Sequence, residues 1–259
     1  MSLSEVFRAA GRQGRAAFIP YVTGCHPDDD ACLAMVRELD RAGADLIEVG
    51  IPFSDPLADG PTIQAAGQAA LEAGATPAAV LELCARARSL TAAPLVVMTY
   101  VNPVLALGWR RFAGACADAG VAGVIIPDLP PEEAGPWRRA AAGAGLEPVF
   151  MAAPTTPPAR VAEIARQGGG FLYYVSMTGV TGGQLRLDGA ARRRLAGARR
   201  ASGLPVAVGF GVARPEQARE LAGLADGVVV GSALLRAHAR GGMAGFAGLA
   251  RGLRASLAR

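Results

Sequence analysis

Short apolar runs with β-forming composition alternate along this chain with stretches of helical composition and period, and that alternation is what most limits its fold. The runs are Ala17–Val22, Leu46–Val49, Leu95–Tyr100, Gly123–Pro127, Pro148–Ala152, Phe171–Ser176, Pro205–Phe210 and Gly227–Val230. Most are continuously apolar, the pattern of parallel strands covered on both faces. Helical patterns include Leu3–Gly11, ahead of the first run, and then Asp28–Ala42, Thr76–Leu90, Trp109–Ala119, Pro131–Ala142, Pro158–Gln167 and Arg214–Gly223. Thr76-Pro77 and Thr156-Pro157 read as an N-cap followed by a first-turn proline. Eight strands alternating with helices, without a linker or a shift in composition, predict a single (β/α)8 TIM-barrel domain over 1–259 with an additional N-terminal helix. A doubly wound open sheet is the weaker alternative, because no Gly-x-Gly-x-x-Gly turn follows the first strand.

Composition removes several kinds of chemistry. All 26 basic residues are arginine, so no ε-amine is available for a covalent imine. The two histidines, His26 and His238, have no second histidine at ligand spacing, which disfavours a zinc-dependent aldolase and predicts no metal site. The net charge of +4 comes from arginines scattered over helices, with mild clusters at Arg192-Arg193-Arg194 and Arg199-Arg200. No aromatic residues interleave with them to form a stacking platform, so the chain is not expected to bind nucleic acid. The four cysteines, Cys25, Cys32, Cys84 and Cys116, form no CxxC pair and read as free thiols in a reducing compartment. The opening MSLSEVFRAAGRQGR is too polar for a signal peptide, and no apolar run reaches membrane-spanning length. The expectation is a soluble cytoplasmic protein.

The segment Asp45–Gln64, DLIEVGIPFSDPLADGPTIQ, carries the most unusual chemistry. Glu48 lies inside an apolar strand, where an unpaired carboxylate costs several kcal/mol to desolvate. A structural ion pair to an arginine is one reading. The other is a catalytic role, because Asp59 follows eleven residues later on a loop stiffened by prolines. One buried and one loop carboxylate suit acid and base roles at a single pH. Barrel chemistry sits at the C-terminal ends of strands. Those ends carry Tyr21-Val22-Thr23, Glu48, Thr99-Tyr100-Val101-Asn102, Asp128, Met151, Tyr173, Phe210-Gly211 and Gly231-Ser232. Such a set suits a flat hydrophobic ring with a polar tail. The loop Ser176–Gly183, Gly211 and Gly231-Ser232 could cradle a phosphate on backbone N–H groups, or the glycines could simply make tight turns.

The motifs EVGIPFSDPLADGPTIQ, MTYVNPV, IIPDLPPEE, YYVSMTGVTG, VGFGV and VVVGSA together resemble the tryptophan synthase alpha subunit family, over nearly the whole chain. The resemblance implies cleavage of indole-3-glycerol phosphate to indole and glyceraldehyde 3-phosphate by a reverse-aldol reaction without metal or organic cofactor. By that analogy Glu48 is the proton-transfer carboxylate, Asp59 hydrogen-bonds the indole N–H, and Tyr173 stands beside the glutamate. Tyr21, Met98, Tyr100, Ile125, Met151 and Phe210 match substrate-binding positions around the ring. Gly182, Gly211, Gly231 and Ser232 match the phosphate site, and Thr181 matches a threonine on the loop that closes over it. The family's partner is a pyridoxal-phosphate beta subunit in an alpha2beta2 heterotetramer, and Pro52, Asp55, Pro56, Asn102 and Pro130 match its interface.

Two departures stand out. Thr23-Gly24-Cys25-His26-Pro27 replaces the family's usual Gly-Asp-Pro turn, and Pro127 replaces a small residue near the ring pocket. His26 reads better as a loop residue at a helix start than as an added ligand. A phosphosugar isomerase or related barrel synthase would need aspartates at the ends of strands one and five, where Thr23 and Ala152 stand. A silent regulatory barrel would be marked by loss of Glu48 or Asp59, and both are present. A stand-alone indole-releasing lyase remains compatible with the residues.

Overall fold

The computed structural model describes residues 2–175, 188–209 and 211–258. Its strands are β1 (Ala17–Thr23), β2 (Ile47–Gly50), β3 (Leu95–Met98), β4 (Val121–Ile125), β5 (Glu147–Val149), β6 (Met151–Ala152), β7 (Leu172–Val175), β8 (Val206–Gly209) and β9 (Gly227–Val230). All pair in parallel, in the order β5-β4-β3-β2-β1-β9-β8-β7-β6. β5 and β6 are two halves of the predicted fifth strand: β5 pairs with β4 and β6 with β7. Between them the Phe150 carbonyl accepts the Tyr173 N–H at 3.0 Å, so the chain here joins both edges of the sheet. The result is a nearly closed TIM barrel, as the alternation predicts.

Each strand divides its side chains between two cores, as the two-residue period of a strand demands. Phe18, Val22, Ile47, Val49, Leu95, Val97, Val124, Leu172, Val206, Val208 and Val228 face outward, into the layer under the helices. Ala17, Ile19, Leu46, Val96, Ile125, Val149, Ala207 and Val229 face inward. The helices are α1 (Leu3–Arg12), α2 (Asp29–Ala42), α3 (Pro61–Glu72), α4 (Pro77–Ala87), α5 (Val101–Leu107), α6 (Trp109–Asp118), α7 (Gly135–Gly143), α8 (Pro158–Gln167), α9 (Gly189–Ser202), α10 (Pro215–Ala222) and α11 (Ser232–Ala255).

α1 is the predicted extra helix, and it stoppers the N-terminal mouth of the barrel. Its Leu3, Val6, Phe7 and Ala10 belong to the inner core. A Cβ on Gly227 would fall 2.6 Å from Phe7, and one on Gly170 2.8 Å from Leu3, so bare backbone makes the seat. Phe7 also stacks obliquely on Phe171 at 5.1 Å, and Glu147 accepts the Leu3 N–H at 2.7 Å. On the same side Arg15 grips Asp45 with both terminal nitrogens, at 2.5 and 2.7 Å, and Asp45 also accepts the Phe18 N–H.

Local expectations are met and corrected in instructive ways. Thr76 caps α4 by accepting the Ala79 N–H at 3.1 Å, as its sequence predicts. Thr156 does not cap α8. Pro157 holds the cap position and Pro158 starts the helix, while Thr156 accepts the Ala153 N–H within the preceding turn. The helix expected from Pro131 begins at Gly135, because the Glu133 and Ala134 N–H groups bond back to Pro130 in a separate turn. His26 lies in the turn before α2, two residues ahead of its cap Asp28, which is the loop position expected. Cys25 beside it takes a left-handed φ of 60°, a conformation in which glycine would be at ease. The four thiols are buried and free, and burial pushes those of Cys25, Cys32 and Cys116 up to about 12.

Candidate active site

The C-terminal ends of the strands bring five of the predicted residues together. β1 and β2 lie in register with Tyr21 opposite Glu48, both pointing inward. Tyr173 enters the same space from β7, where it pairs with Met151 on one side and Ala207 on the other. Asp59 and Tyr100 reach in from the loops after β2 and β3. The tyrosine rings fit because glycine stands beside them. A Cβ on Gly50 would fall 2.1 Å from the Tyr21 hydroxyl, and one on Gly209 2.2 Å from the Tyr173 hydroxyl.

Glu48 is 2% exposed, and its Oε2 has no hydrogen-bond partner. No arginine neutralises it among the described residues, which disposes of the structural ion pair. Burial first, and the charge of Asp59 second, raise its carboxyl from the ordinary 4.5 to about 8. Asp59 is 8% exposed and differs in having a donor. Burial raises its carboxyl from the ordinary 3.8 to about 6, and the Tyr100 hydroxyl, which donates to its Oδ2 at 3.0 Å, limits the rise. Asp59 therefore ionises first, and its charge then opposes ionisation of Glu48. Near neutral pH the site presents a protonated carboxyl beside a carboxylate, the pairing that lets one site donate a proton and stabilise the cation that results. Burial, followed by the nearby carboxylates, also pushes the Tyr21 and Tyr173 hydroxyls well above 10, so both stay neutral.

Tyr100, expected among the substrate-binding residues, also braces Asp59: its hydroxyl accepts the Ala58 N–H at 3.0 Å as it donates to Asp59, and its ring lies 5.5 Å from Phe53. Gln64, the last residue of the signature segment, donates from Nε2 to the Asp59 carbonyl at 2.9 Å. Thr23 Oγ1 donates to the Tyr21 hydroxyl at 3.3 Å. Asp128, another strand-end carboxylate, accepts the Val101 N–H and is committed to starting α5.

Met98 and Ile125 are adjacent in the β3–β4 register and line the inner core with Tyr173, while Met151 packs against them. Gly211 follows β8 with φ 80°, and Gly231-Ser232 joins the end of β9 to the N-terminus of α11. A Cβ on Gly231 would also crowd Tyr21 at 3.2 Å. Phe210, Thr181 and Gly182 lie outside the described residues. Of the expected interface residues, Asp55, Asn102 and Pro130 are exposed and Pro56 is half-buried. Pro52 is buried, close to where a Cβ on Gly67 of α3 would project, and so shapes the loop from within. Sequence reasoning passed over Leu57, 79% exposed beside Pro56, and Leu105, 52% exposed on α5. Among the described residues no group of three or more histidine, cysteine or acidic side chains could hold a metal ion. No helix among them is long and apolar enough to cross a membrane.

A TIM barrel with two buried carboxylates of unlike protonation at its strand ends defines a barrel enzyme of acid–base chemistry. The family model for the tryptophan synthase alpha chain matches residues 7–245. The tryptophan synthase alpha chain of Citrifermentans bemidjiense is 48% identical over 234 residues, covering 90% of this chain and 88% of that one. That of Gluconacetobacter diazotrophicus is 49% identical over 234 residues, with 90% and 85% covered. A chain of Mycobacterium tuberculosis tryptophan synthase superimposes with a TM-score of 0.92 at 40% identity, over 99% of this chain and 98% of that one. The alpha subunit from Legionella pneumophila gives 0.90 at 31% identity, over 99% and 98%. The chain belongs to the tryptophan synthase alpha chain family. Membership brings with it the family's lyase reaction and its beta-chain partner.

Proposed function

We propose that this chain cleaves indole-3-glycerol phosphate to indole and glyceraldehyde 3-phosphate with Glu48 moving both protons. The observation that carries the reading is the buried, unpartnered Oε2 of a carboxyl raised to about 8. Protonated Glu48 delivers its proton to C3 of the indole ring, and ionised Asp59 accepts the ring N–H and stabilises the positive charge that C3 protonation creates. The Glu48 carboxylate then takes the proton from the glycerol hydroxyl. The O–H electrons form the aldehyde carbonyl, and the electrons of the breaking C–C bond return to the ring, restoring indole. Tyr173 positions Glu48, and Tyr100 holds Asp59. Tyr21, Met98, Ile125, Met151 and Phe210 enclose the ring. Gly182, Gly211, Gly231 and Ser232 take the phosphate, where the N-terminus of α11 favours an anion, and Thr181 helps to close the site.

No step needs a metal or organic cofactor in this chain, and with lysine absent the imine route is closed. Indole passes to a beta chain, the one bearing pyridoxal phosphate, in an alpha2beta2 heterotetramer in the cytoplasm. Asp55, Pro56, Asn102 and Pro130 face that partner, with the exposed Leu57 and Leu105 supplying apolar area. Residues 1–259 act as one domain. The test is indole release from indole-3-glycerol phosphate with and without a beta chain, beside Glu48→Gln. Release that rises with the partner and disappears in the variant is the expected result. Fast release indifferent to a partner would make the chain a stand-alone lyase, and no release in either condition would overturn the reaction.

A further inference from the structure

Asp59 and the N-terminus of α11 approach the pocket from parts of the chain far apart in sequence, and one side chain joins them. Arg236, one turn into α11 from Ser232, donates from Nη1 to Thr62 Oγ1 at 3.1 Å across 174 residues of sequence. Thr62 is the second residue of α3, whose cap, Gly60, directly follows Asp59. Beneath this contact Tyr21, Ile63, Ala66 and Leu235 form a small apolar cluster of their own, separate from both barrel cores. Arg236 has no carboxylate within ion-pair distance among the described residues, so its link to Thr62 does not compete with a stronger partner. From Thr62 the connection to Asp59 is short and stiff. The Ile63 and Gln64 N–H groups both bond to the Gly60 carbonyl, and the Gln64 side chain holds the Asp59 carbonyl.

We propose that Arg236 is a positioning residue that bolts α11 to the first turn of α3, fixing Asp59 relative to the phosphate end of the pocket. The proposal rests on the roles given above to Asp59 and to Gly231-Ser232. A carboxylate that must meet the ring N–H while the phosphate is anchored at α11 needs those two anchors at a constant separation, and misplacement by about 1 Å costs on the order of a hundredfold in rate.

The test uses the complex with a beta chain and measures kcat, KM and the pH profile of indole release for Arg236→Gln, Thr62→Val and the double variant. Urea unfolding of each chain is measured alongside. Thr62→Val keeps the arginine charge and so separates positioning from attraction of the phosphate. The expected result is a roughly tenfold fall in kcat for each single variant. KM should stay nearly unchanged in Thr62→Val, the double variant should be no worse than the poorer single one, and the acid limb of the profile should move toward the ordinary carboxylate range. Arg236→Lys should recover part of the rate. Unchanged kcat and profile with reduced stability would make the contact a brace only and overturn the proposal, as would losses that multiply in the double variant. Asp59→Asn in the same series separates the two levels. A normal rate there overturns the role of Asp59 itself, whereas a lost rate with normal Arg236→Gln overturns only the bolt.

Discussion

Glu48→Gln should make the protein more stable while abolishing indole release, and by an amount that depends on pH. The carboxyl titrates near 4.5 in an ordinary setting and at about 8 in the folded chain. Folding therefore favours the protonated form, and the penalty for burying the charge is absent below pH 4.5, grows as pH rises and is complete above 8. At ~1.4 kcal/mol per pH unit the cost is about 3 kcal/mol at pH 7 and about 5 kcal/mol above pH 8. Glutamine has the shape of the protonated acid and no charge to desolvate, so the variant escapes the whole cost. Urea unfolding of both chains at pH 5, 7 and 8.5 reads the difference directly. The gap should be small at pH 5 and widen to several kcal/mol at 8.5, with the variant always the more stable. A gap that does not vary with pH, or a variant less stable at pH 8.5, would refute the assignment of Glu48 as a group kept neutral by burial.

The rate of indole release should rise through about pH 6, as Asp59 ionises, and fall through about pH 8, as Glu48 loses the proton it must deliver. Tyr100→Phe removes the donor that holds Asp59 down, so the acid limb of that profile should shift to higher pH with the alkaline limb in place. Gly209→Ala places a methyl 2.2 Å from the Tyr173 hydroxyl. It should cost about 1–3 kcal/mol in a denaturant melt, the range for overpacked cores, and lower kcat by displacing Tyr173. Phe7→Ala should destabilise the barrel by about 3–5 kcal/mol through a cavity at its N-terminal mouth, with KM for the substrate unchanged in the fraction that remains folded.

The architecture was legible because strand runs such as Leu95–Met98 are apolar on both faces, a property that only a doubly covered parallel strand needs. The division of the fifth strand was not, because Pro148 to Ala152 is uniformly apolar and only pairing reveals that its halves serve different neighbours. Glu48 stood out as a charge where charges are expensive, and Asp59 as a second carboxylate on a proline-stiffened loop close by in sequence. The hydrogen bond from Tyr100 to Asp59 was hidden because the two lie 41 residues apart, and a tyrosine that braces a carboxylate reads in sequence like one that lines a pocket. Gly231 carried a similar ambiguity. It was singled out as a place where backbone could approach phosphate, and its absent side chain also leaves room for Tyr21. Local turns hid two details: the Pro130–Ala134 turn delays the start of α7 to Gly135, and Thr156, whose hydroxyl serves Ala153, does not cap a helix whose span was read correctly.

The helix that closes the N-terminal mouth has a consequence for the order of assembly. α1 precedes every strand in the chain, yet its seat is built from Ile19, Glu147, Gly170, Phe171 and Gly227, gathered from strands at both ends of the barrel. When the chain is made from its N-terminus, the seat of α1 is incomplete until β9 supplies Gly227, on which Phe7 rests. A chain halted before Gly227 lacks that part of the seat, so the last strand of the barrel also completes the cover over the first helix of the chain.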